Sequence, residues 1–255
     1  MVREYMTEES TMWIKNFLGR LLGERNTGRL NYLLNARSPS YWRGPFNDQK
    51  GRQKIWLAII QRLEFSAVVE TGTFRGTTSL FFAESGLPVY TVEVSPRYYE
   101  CASMRLRRYR SRIHISEGDS RTYLTRLAKD ASFPKSSVFF YLDAHWREDL
   151  PLREEVTIIF KNWNNSVAMI DDFCVPGTDY GYDDYSPRKQ LTLQYLQPVL
   201  QELRLIPFFP SFGPECETGS KRGCVVLCRE DRIADSLKRI DLLSAYLQGA
   251  SPGRE

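Results

Sequence analysis

The chain has 255 residues, of which 42% are hydrophobic, and this is enough to fill the core of one α/β domain. The 35 basic and 31 acidic residues leave a net charge of +4, which is too small to indicate nucleic-acid binding on its own. The five cysteines are scattered without paired spacing, which argues against a disulfide framework and against a zinc site.

The N-terminal part of the sequence has a helical pattern. Residues 1–47 are predicted to form a helical extension in front of a main domain that spans residues 48–255. The apolar residues on one face of the first helix are Trp13, Ile14, Phe17, Leu18, Leu21 and Leu22. This face is expected to pack against the main domain or, in a homo-oligomer, against a second subunit. No apolar run approaches the ~18 residues that span a bilayer, and the polar start does not resemble a signal peptide, so we expect a cytoplasmic protein.

Short apolar runs alternate with longer helical patterns along the rest of the chain. The first five runs are residues 66–70, 89–93, 113–117, 138–143 and 167–172. This alternation predicts an α/β fold with a doubly wound, Rossmann-like parallel sheet. A helix over residues 188–202 is followed by runs at 203–209 and 223–228, which predict a closing β-hairpin, and a last helix is expected over residues 231–247.

A glycine loop follows the first predicted strand. Its sequence is ETGTFRG, in which three residues separate Gly72 from Gly76. Glycines permit a tight turn and let a ligand approach the backbone closely. The spacing differs from the dinucleotide-binding GxGxxG pattern and suits a cofactor without a pyrophosphate, although an ordinary strand-to-helix turn has the same pattern. The candidate cofactor-binding residues in this segment are Glu70, Gly72, Thr73, Gly76 and Ser79.

Acidic residues follow the next two strands, where ligands bind in open parallel sheets. Glu93 ends the second strand about twenty residues after the loop, a position from which a carboxylate can accept hydrogen bonds from ribose hydroxyls. After the third strand, Asp119 and Ser120 offer a carboxylate and a hydroxyl to an adenine amino group. The alternative, which is compatible with this, is that one of them caps the following helix.

Three carboxylates are expected to converge after the fourth and fifth strands, namely those of Asp143, Asp171 and Asp172. Hard oxygen ligands suit Mg²⁺, whereas solvated or helix-capping acids are the alternative. His145 lies two residues after Asp143, and an imidazole with an ordinary pKa of about 6.5 can serve as a general base. A structural role for His145 is the competing interpretation, and His114, inside the third strand, is expected to be structural.

These motifs together resemble the class I S-adenosylmethionine-dependent methyltransferases. The segments that carry the resemblance are ETGTFRG, YTVEVS, GDS and YLDAHW, within residues 66–230. The resemblance implies S-adenosylmethionine as the cofactor, with Asp143 also facing it, and a seven-stranded sheet whose C-terminal strand is antiparallel. The acids are similar to those of the metal-dependent macrocin O-methyltransferases, which implies that Asp143, Asp171 and Asp172 hold the metal.

The resemblance therefore implies a Mg²⁺-dependent O-methyltransferase acting on a small hydroxylated molecule, such as a sugar or a glycosylated natural product. Residues 175–185, with three tyrosines and three acids, could close over such a substrate, and the insert 215–222 is a weaker candidate. A catechol or an RNA nucleotide is the alternative acceptor, and a non-catalytic S-adenosylmethionine-binding protein is the alternative function. We interpret the arginine-rich run 105–112 as a solvated helix face, which does not favour a nucleic-acid substrate.

Overall fold

The computed structural model describes residues 23–34, 44–145, 149–185, 189–229 and 232–246. The helix face predicted between Trp13 and Leu22, and with it the predicted oligomer contact, lies outside the described residues. The strands are β1 Ala67–Thr71, β2 Val89–Glu93, β3 Ile113–Glu117, β4 Val138–Leu142, β5 Val167–Ile170, β6 Leu205–Pro210, β7 Val225–Arg229 and β8 Leu243–Ala245. The helices are α1 at 23–34, α2 Lys50–Arg62, α3 Thr77–Ala83, α4 Pro96–Leu106, α5 Ser120–Lys129, α6 Leu152–Asn162, α7 Leu193–Leu203 and α8 Arg232–Leu237.

All eight strands belong to one sheet, in the order β3-β2-β1-β4-β5-β7-β6-β8. The first five strands in this order pair in parallel, whereas β7 runs antiparallel to both β5 and β6. The predicted Rossmann-like α/β fold with an antiparallel C-terminal strand is therefore confirmed, and the sheet has one strand more than the seven expected. Because the strand order reverses at β1, a ligand cleft is expected beyond the carboxyl ends of β1 and β4.

The extra strand replaces most of the predicted C-terminal helix. Helix α8 ends at Leu237, and the chain turns back to form β8 along the free edge of β6. The backbone N–H of Tyr246 donates to the carbonyl of Pro207, and the side chain of Leu243 is buried. The prediction of a helix over residues 231–247 is wrong beyond Leu237, because pairing with an exposed sheet edge satisfies backbone groups that a local helical pattern cannot anticipate.

The apolar core covers both faces of the sheet. One face carries Val69, Leu142 and Ile170 against α5, α6 and α7, and the other carries aromatic residues against α2 and α3. Phe46 packs edge-on against Phe82 and Tyr141, with ring centroids 5.4 and 5.1 Å apart. Phe46 lies on the extension side of the predicted boundary at residue 47, and that boundary stays a prediction.

Helix α1 lies against α4 through a close backbone approach and an ion pair. A Cβ at Gly28 would lie 2.2 Å from the carbonyl oxygen of Arg97, so only glycine allows this contact. Arg29 donates to the carboxylate of Glu100 at 2.7 Å. The described part of the extension is thus docked on its own domain. Among the described helices, none is both long enough and apolar enough to cross a membrane.

Candidate active site

The glycine loop lies where the sequence predicts it, between the end of β1 and the start of α3. Gly72 has a φ of 84°, and a Cβ there would lie 2.3 Å from the carbonyl oxygen of Asp143. Gly76 has a φ of 73° and caps the N-terminus of α3. Thr73 is buried, and its hydroxyl lies 2.5 Å from that of Thr91 on β2. The loop is therefore held tightly against the ends of β2 and β4.

Glu70 is a fully buried carboxylate at the start of this loop. One of its oxygens, Oε2, accepts hydrogen bonds from the hydroxyls of Ser79 and Thr91, the latter at 2.7 Å. The other, Oε1, has no hydrogen-bond partner among the described residues. Burial raises the pKa of Glu70 to about 7, although the two hydroxyls oppose this rise. Ser79 is thus bonded to Glu70, and one oxygen of Glu70 has no partner among the described residues.

Glu93, at the end of β2, is bonded to the glycine loop. Its two oxygens accept from the backbone N–H groups of Phe74 and Ser95, at 2.7 and 2.9 Å. Burial raises the pKa of Glu93. A carboxylate oxygen can accept more than one hydrogen bond, so these contacts leave acceptor capacity for ribose hydroxyls. The role of Glu93 in holding Phe74 was not anticipated from the sequence.

Asp119 caps helix α5. Its carboxylate accepts from the backbone N–H of Thr122 at 3.0 Å and pairs with Arg121 at 2.7 Å. The guanidinium of Arg121 is the main cause that lowers the pKa of Asp119. The capping role that the sequence left open is present, while a role toward adenine stays a prediction for both Asp119 and Ser120. Ser120 is buried beside Glu155, a residue of α6 that sequence reasoning missed.

Glu155 is a second fully enclosed carboxyl group near the end of β1. Burial raises its pKa to about 7, and hydrogen bonding by Ser120 and Thr71 opposes the rise. The sequence signal for it is an acid at position 155 on the buried face of an otherwise apolar helix, next to Val156 and Ile159. Like Oε1 of Glu70, Oε1 of Glu155 has no hydrogen-bond partner among the described residues.

Three predicted site residues come together at the ends of β4 and β5. One carboxylate oxygen each from Asp143 and Asp172 and one ring nitrogen of His145 lie within 4.8 Å of one another. The pKa of Asp143 is raised well above its ordinary value, first by burial and then by repulsion from Asp172 and Glu70. Burial lowers the pKa of His145, so the neutral imidazole is favoured. The group has the donor atoms and the excess negative charge to accept a divalent cation.

Asp171 does not join this group. It is fully buried, its carboxylate pairs with the guanidinium of Arg52 on α2, and the hydroxyl of Tyr141 donates to it. Its Oδ1 also accepts the backbone N–H of Asp172 at 2.7 Å. Successive residues at a strand end point to opposite faces of the sheet, so Asp171 turns to the α2 side while Asp172, with a φ of 51°, faces the cleft. The expectation that Asp171 is a metal ligand beside Asp143 and Asp172 is not met by this geometry.

Two further residues, Asp183 and Arg222, contact this cluster. Asp143, His145, Asp172, Asp183 and Arg222 are together called the acid group below. Nε of Arg222 lies 2.6 Å from a carboxylate oxygen of Asp172, and its Nη2 donates to Asp183. The hydroxyl of Tyr185 donates to Asp183 and lies 3.4 Å from the carbonyl oxygen of His145. Both segments that the sequence suggested for the substrate side, residues 175–185 and 215–222, therefore reach the acid group. Their long-range pairing has no signal in the sequence.

The comparisons with known proteins agree with this arrangement at the level of the fold. No protein-family model matches the chain, and no curated protein sequence matches it significantly. An O-methyltransferase from Bacillus cereus, solved with S-adenosylhomocysteine (SAH), is similar over 85% of this chain and 97% of its own, with 18% identity and a TM-score of 0.55. TomG from Streptomyces achromogenes, an O-methyltransferase involved in tomaymycin synthesis and solved with S-adenosylmethionine, is similar over 89% of this chain and 100% of its own, with 16% identity and a TM-score of 0.53.

At the level of the fold, these similarities confirm the resemblance that the motifs predicted. This chain has the Rossmann-like sheet with an antiparallel β7. The chain has the fold of the S-adenosylmethionine-dependent methyltransferases.

Proposed function

We propose that the protein is an S-adenosylmethionine-dependent O-methyltransferase that acts on a hydroxyl of a small molecule and uses a divalent cation. The observation that carries this proposal is the juxtaposition of two features at one edge of the sheet. The glycine loop contacts the backbone of Asp143 directly, since Gly72 packs on its carbonyl oxygen, and the side chain of Asp143 belongs to the acid group. A cofactor on the loop would thus lie beside the residues that could bind and orient an acceptor.

The residues around the loop fit S-adenosylmethionine. The buried Oε1 of Glu70 has no hydrogen-bond partner among the described residues, and the sulfonium cofactor carries an ammonium group that could donate to it. Glu93 retains acceptor capacity, which supports the ribose contact that we propose for it. The TomG and Bacillus cereus structures, which have the same fold, were solved with this cofactor and its product. We propose Glu70, Gly72, Thr73, Gly76, Glu93, Asp119, Ser120 and Asp143 as the cofactor side of the cleft, with Ser79 supporting Glu70.

The acid group fits a cation, which the sequence predicts to be Mg²⁺. When bound, S-adenosylmethionine supplies an activated methyl group, and a divalent cation favours the ionised form of a hydroxyl. Asp143 and Asp172 provide the carboxylates, and the protein's part is to hold the acceptor in line with the methyl group. His145 can act as proton acceptor or as ligand, because both roles require the unprotonated nitrogen that burial favours.

The segment from Tyr180 to Tyr185 supports a polyhydroxylated acceptor. Asp183 lies 3.6 Å from the ring of His145, and Tyr185 contacts both. Tyrosine rings stack on sugar faces, and carboxylates accept hydrogen bonds from sugar hydroxyls. A glycosyl hydroxyl is therefore the acceptor class that we favour over a catechol.

Formation of S-adenosylhomocysteine tests this proposal directly. The full chain, incubated with S-adenosylmethionine, Mg²⁺ and a panel of sugars, glycosides and catechols, is expected to release S-adenosylhomocysteine with hydroxylated acceptors and to lose this activity in EDTA. An acceptor that still reacts at the full rate in EDTA would contradict the role of the cation. Cofactor binding without product from any acceptor class would instead favour a non-catalytic binding protein.

A further inference from the structure

One nitrogen of His145 points into the acid group without a hydrogen-bond partner. His145 is 6% exposed, and Nε2 has no such partner in the part of the chain that the structure describes. It lies 3.8 Å from a carboxylate oxygen of Asp143 and 3.6 Å from one of Asp183, both too far for a hydrogen bond. Buried polar atoms normally have a partner, so this nitrogen marks a place for an atom that the described part of the chain does not supply.

The surroundings of this nitrogen favour a cation. Carboxylate oxygens of Asp143, Asp172 and Asp183 lie close to it and repel one another. Three ligand atoms within 4.8 Å of one another can contact a single ion at bond lengths of about 2.0–2.3 Å after a small inward movement of the side chains. Three protein ligands on one side leave the remaining positions open to substrate oxygens.

Asp171 is excluded from this site by its own contacts. Arg52, Tyr141 and the backbone N–H of Asp172 already occupy its carboxylate on the opposite side of the sheet. Arg52 and Asp171 are both buried, so freeing Asp171 for a metal would separate a buried ion pair and leave the guanidinium without its carboxylate, which is unfavourable. The position that the sequence assigns to Asp171 is therefore left for another ligand.

We infer that Asp143, His145 and Asp172 form the cation site, with His145 as a ligand in place of Asp171, and that the site prefers Mn²⁺ to Mg²⁺. This inference rests on the proposed function and revises its ligand set, its metal and the role of His145 as a base. Mg²⁺ is bound almost entirely by oxygen, whereas imidazole suits first-row transition metals and raises their affinity relative to Mg²⁺.

Arg222 is the alternative source of positive charge. Its guanidinium contacts Asp172 and Asp183 and could neutralise both without a metal. It contacts one oxygen of Asp172, so the second oxygen remains available to a cation. In the described part of the chain, Arg222 makes no hydrogen bond to the ring of His145. Arg222 therefore does not account for the unpaired Nε2.

The two histidines of the chain allow a direct test in the wild-type protein. His114 lies on β3 at the sheet edge, is exposed, and stacks on Tyr90 with ring centroids 4.7 Å apart. In ¹⁵N-labelled full-length protein, substoichiometric Mn²⁺ is expected to broaden the imidazole signals of His145 and to leave those of His114 sharp. His114→Gln assigns the signals and serves as the matched control.

Calorimetry provides the second readout. Mn²⁺ is expected to bind one site per chain at least about tenfold more tightly than Mg²⁺, and His145→Gln is expected to lose about tenfold or more of the Mn²⁺ affinity that His114→Gln keeps. Equal broadening of both histidines, broadening of neither, or tighter binding of Mg²⁺ would overturn the inference. Binding of S-adenosylhomocysteine and Mg²⁺ without binding of Mn²⁺ would contradict this inference alone, whereas absence of S-adenosylhomocysteine binding would contradict the proposed function.

Discussion

Replacing Glu70 by glutamine is expected to change how the stability of the protein depends on pH. Burial raises the pKa of this carboxyl from an ordinary 4.5 to about 7, so the native state holds a proton that the unfolded chain releases. In the wild type, the contribution of Glu70 to stability is therefore present below pH 4.5 and is lost as the pH rises to about 7. Each pKa unit corresponds to about 1.4 kcal/mol, so the loss is about 3 kcal/mol.

The glutamine variant keeps the hydrogen bonds and removes the charge. Its amide oxygen can accept from Ser79 and Thr91 as Oε2 does, while its NH₂ group replaces the unpaired Oε1. We expect the free energy of unfolding of Glu70→Gln to exceed that of the wild type by about 3 kcal/mol at pH 8.5 and to differ little at pH 4.5.

Urea unfolding at a series of pH values, followed by circular dichroism, measures this difference. Glu64→Gln removes the same charge from an exposed position and is the matched control. An identical pH dependence for the wild type and Glu70→Gln would show that Glu70 is ionised in the native state, and the assignment of a buried, half-paired carboxyl would be refuted.

Three further predictions concern the loop, the cofactor side and the buried ion pair. Gly72→Ala should destabilise the protein in urea unfolding by about 2 kcal/mol more than Gly86→Ala, because both glycines have a positive φ but only Gly72 meets a backbone oxygen at 2.3 Å; equal losses would contradict this packing. Glu93→Gln should weaken S-adenosylhomocysteine binding about tenfold in calorimetry. Glu117→Gln, at the paired position of β3, should leave the affinity unchanged, and equal affinities in the two variants would show that Glu93 does not contact the cofactor. Arg52→Met should lower the free energy of unfolding by about 3–5 kcal/mol, because it leaves the buried carboxylate of Asp171 without its cation. Adding Asp171→Asn should restore part of that stability, and a double variant no more stable than Arg52→Met would argue against the ion pair.

The parallel half of the sheet could be predicted closely from the sequence. The bounds of β2 and β3 agree with the predicted runs 89–93 and 113–117, because buried strands between turn residues produce a strong local pattern. The end of the chain could not be predicted in this way. Strand β8 depends on the free edge of β6, which is a tertiary feature, and the local pattern alone favoured a helix.

The candidate site was predictable where it depends on topology and not where it depends on side-chain direction. Asp143, His145 and Asp172 follow two adjacent parallel strands, so their convergence follows from the fold. Asp171 points away from the site and pairs with Arg52, a residue of α2 more than a hundred positions earlier in the chain. The contact between Arg222 and Asp183 likewise joins two loops whose paths cannot be read from local patterns.

A calorimetric titration of the full wild-type chain with S-adenosylhomocysteine tests whether the proposed cofactor site binds its ligand. Saturable binding at one site per chain is expected, since Glu70, Glu93 and the Gly72–Gly76 loop lie together at the carboxyl ends of β1 and β2. A titration without binding would contradict the proposed cofactor site and the function built on it.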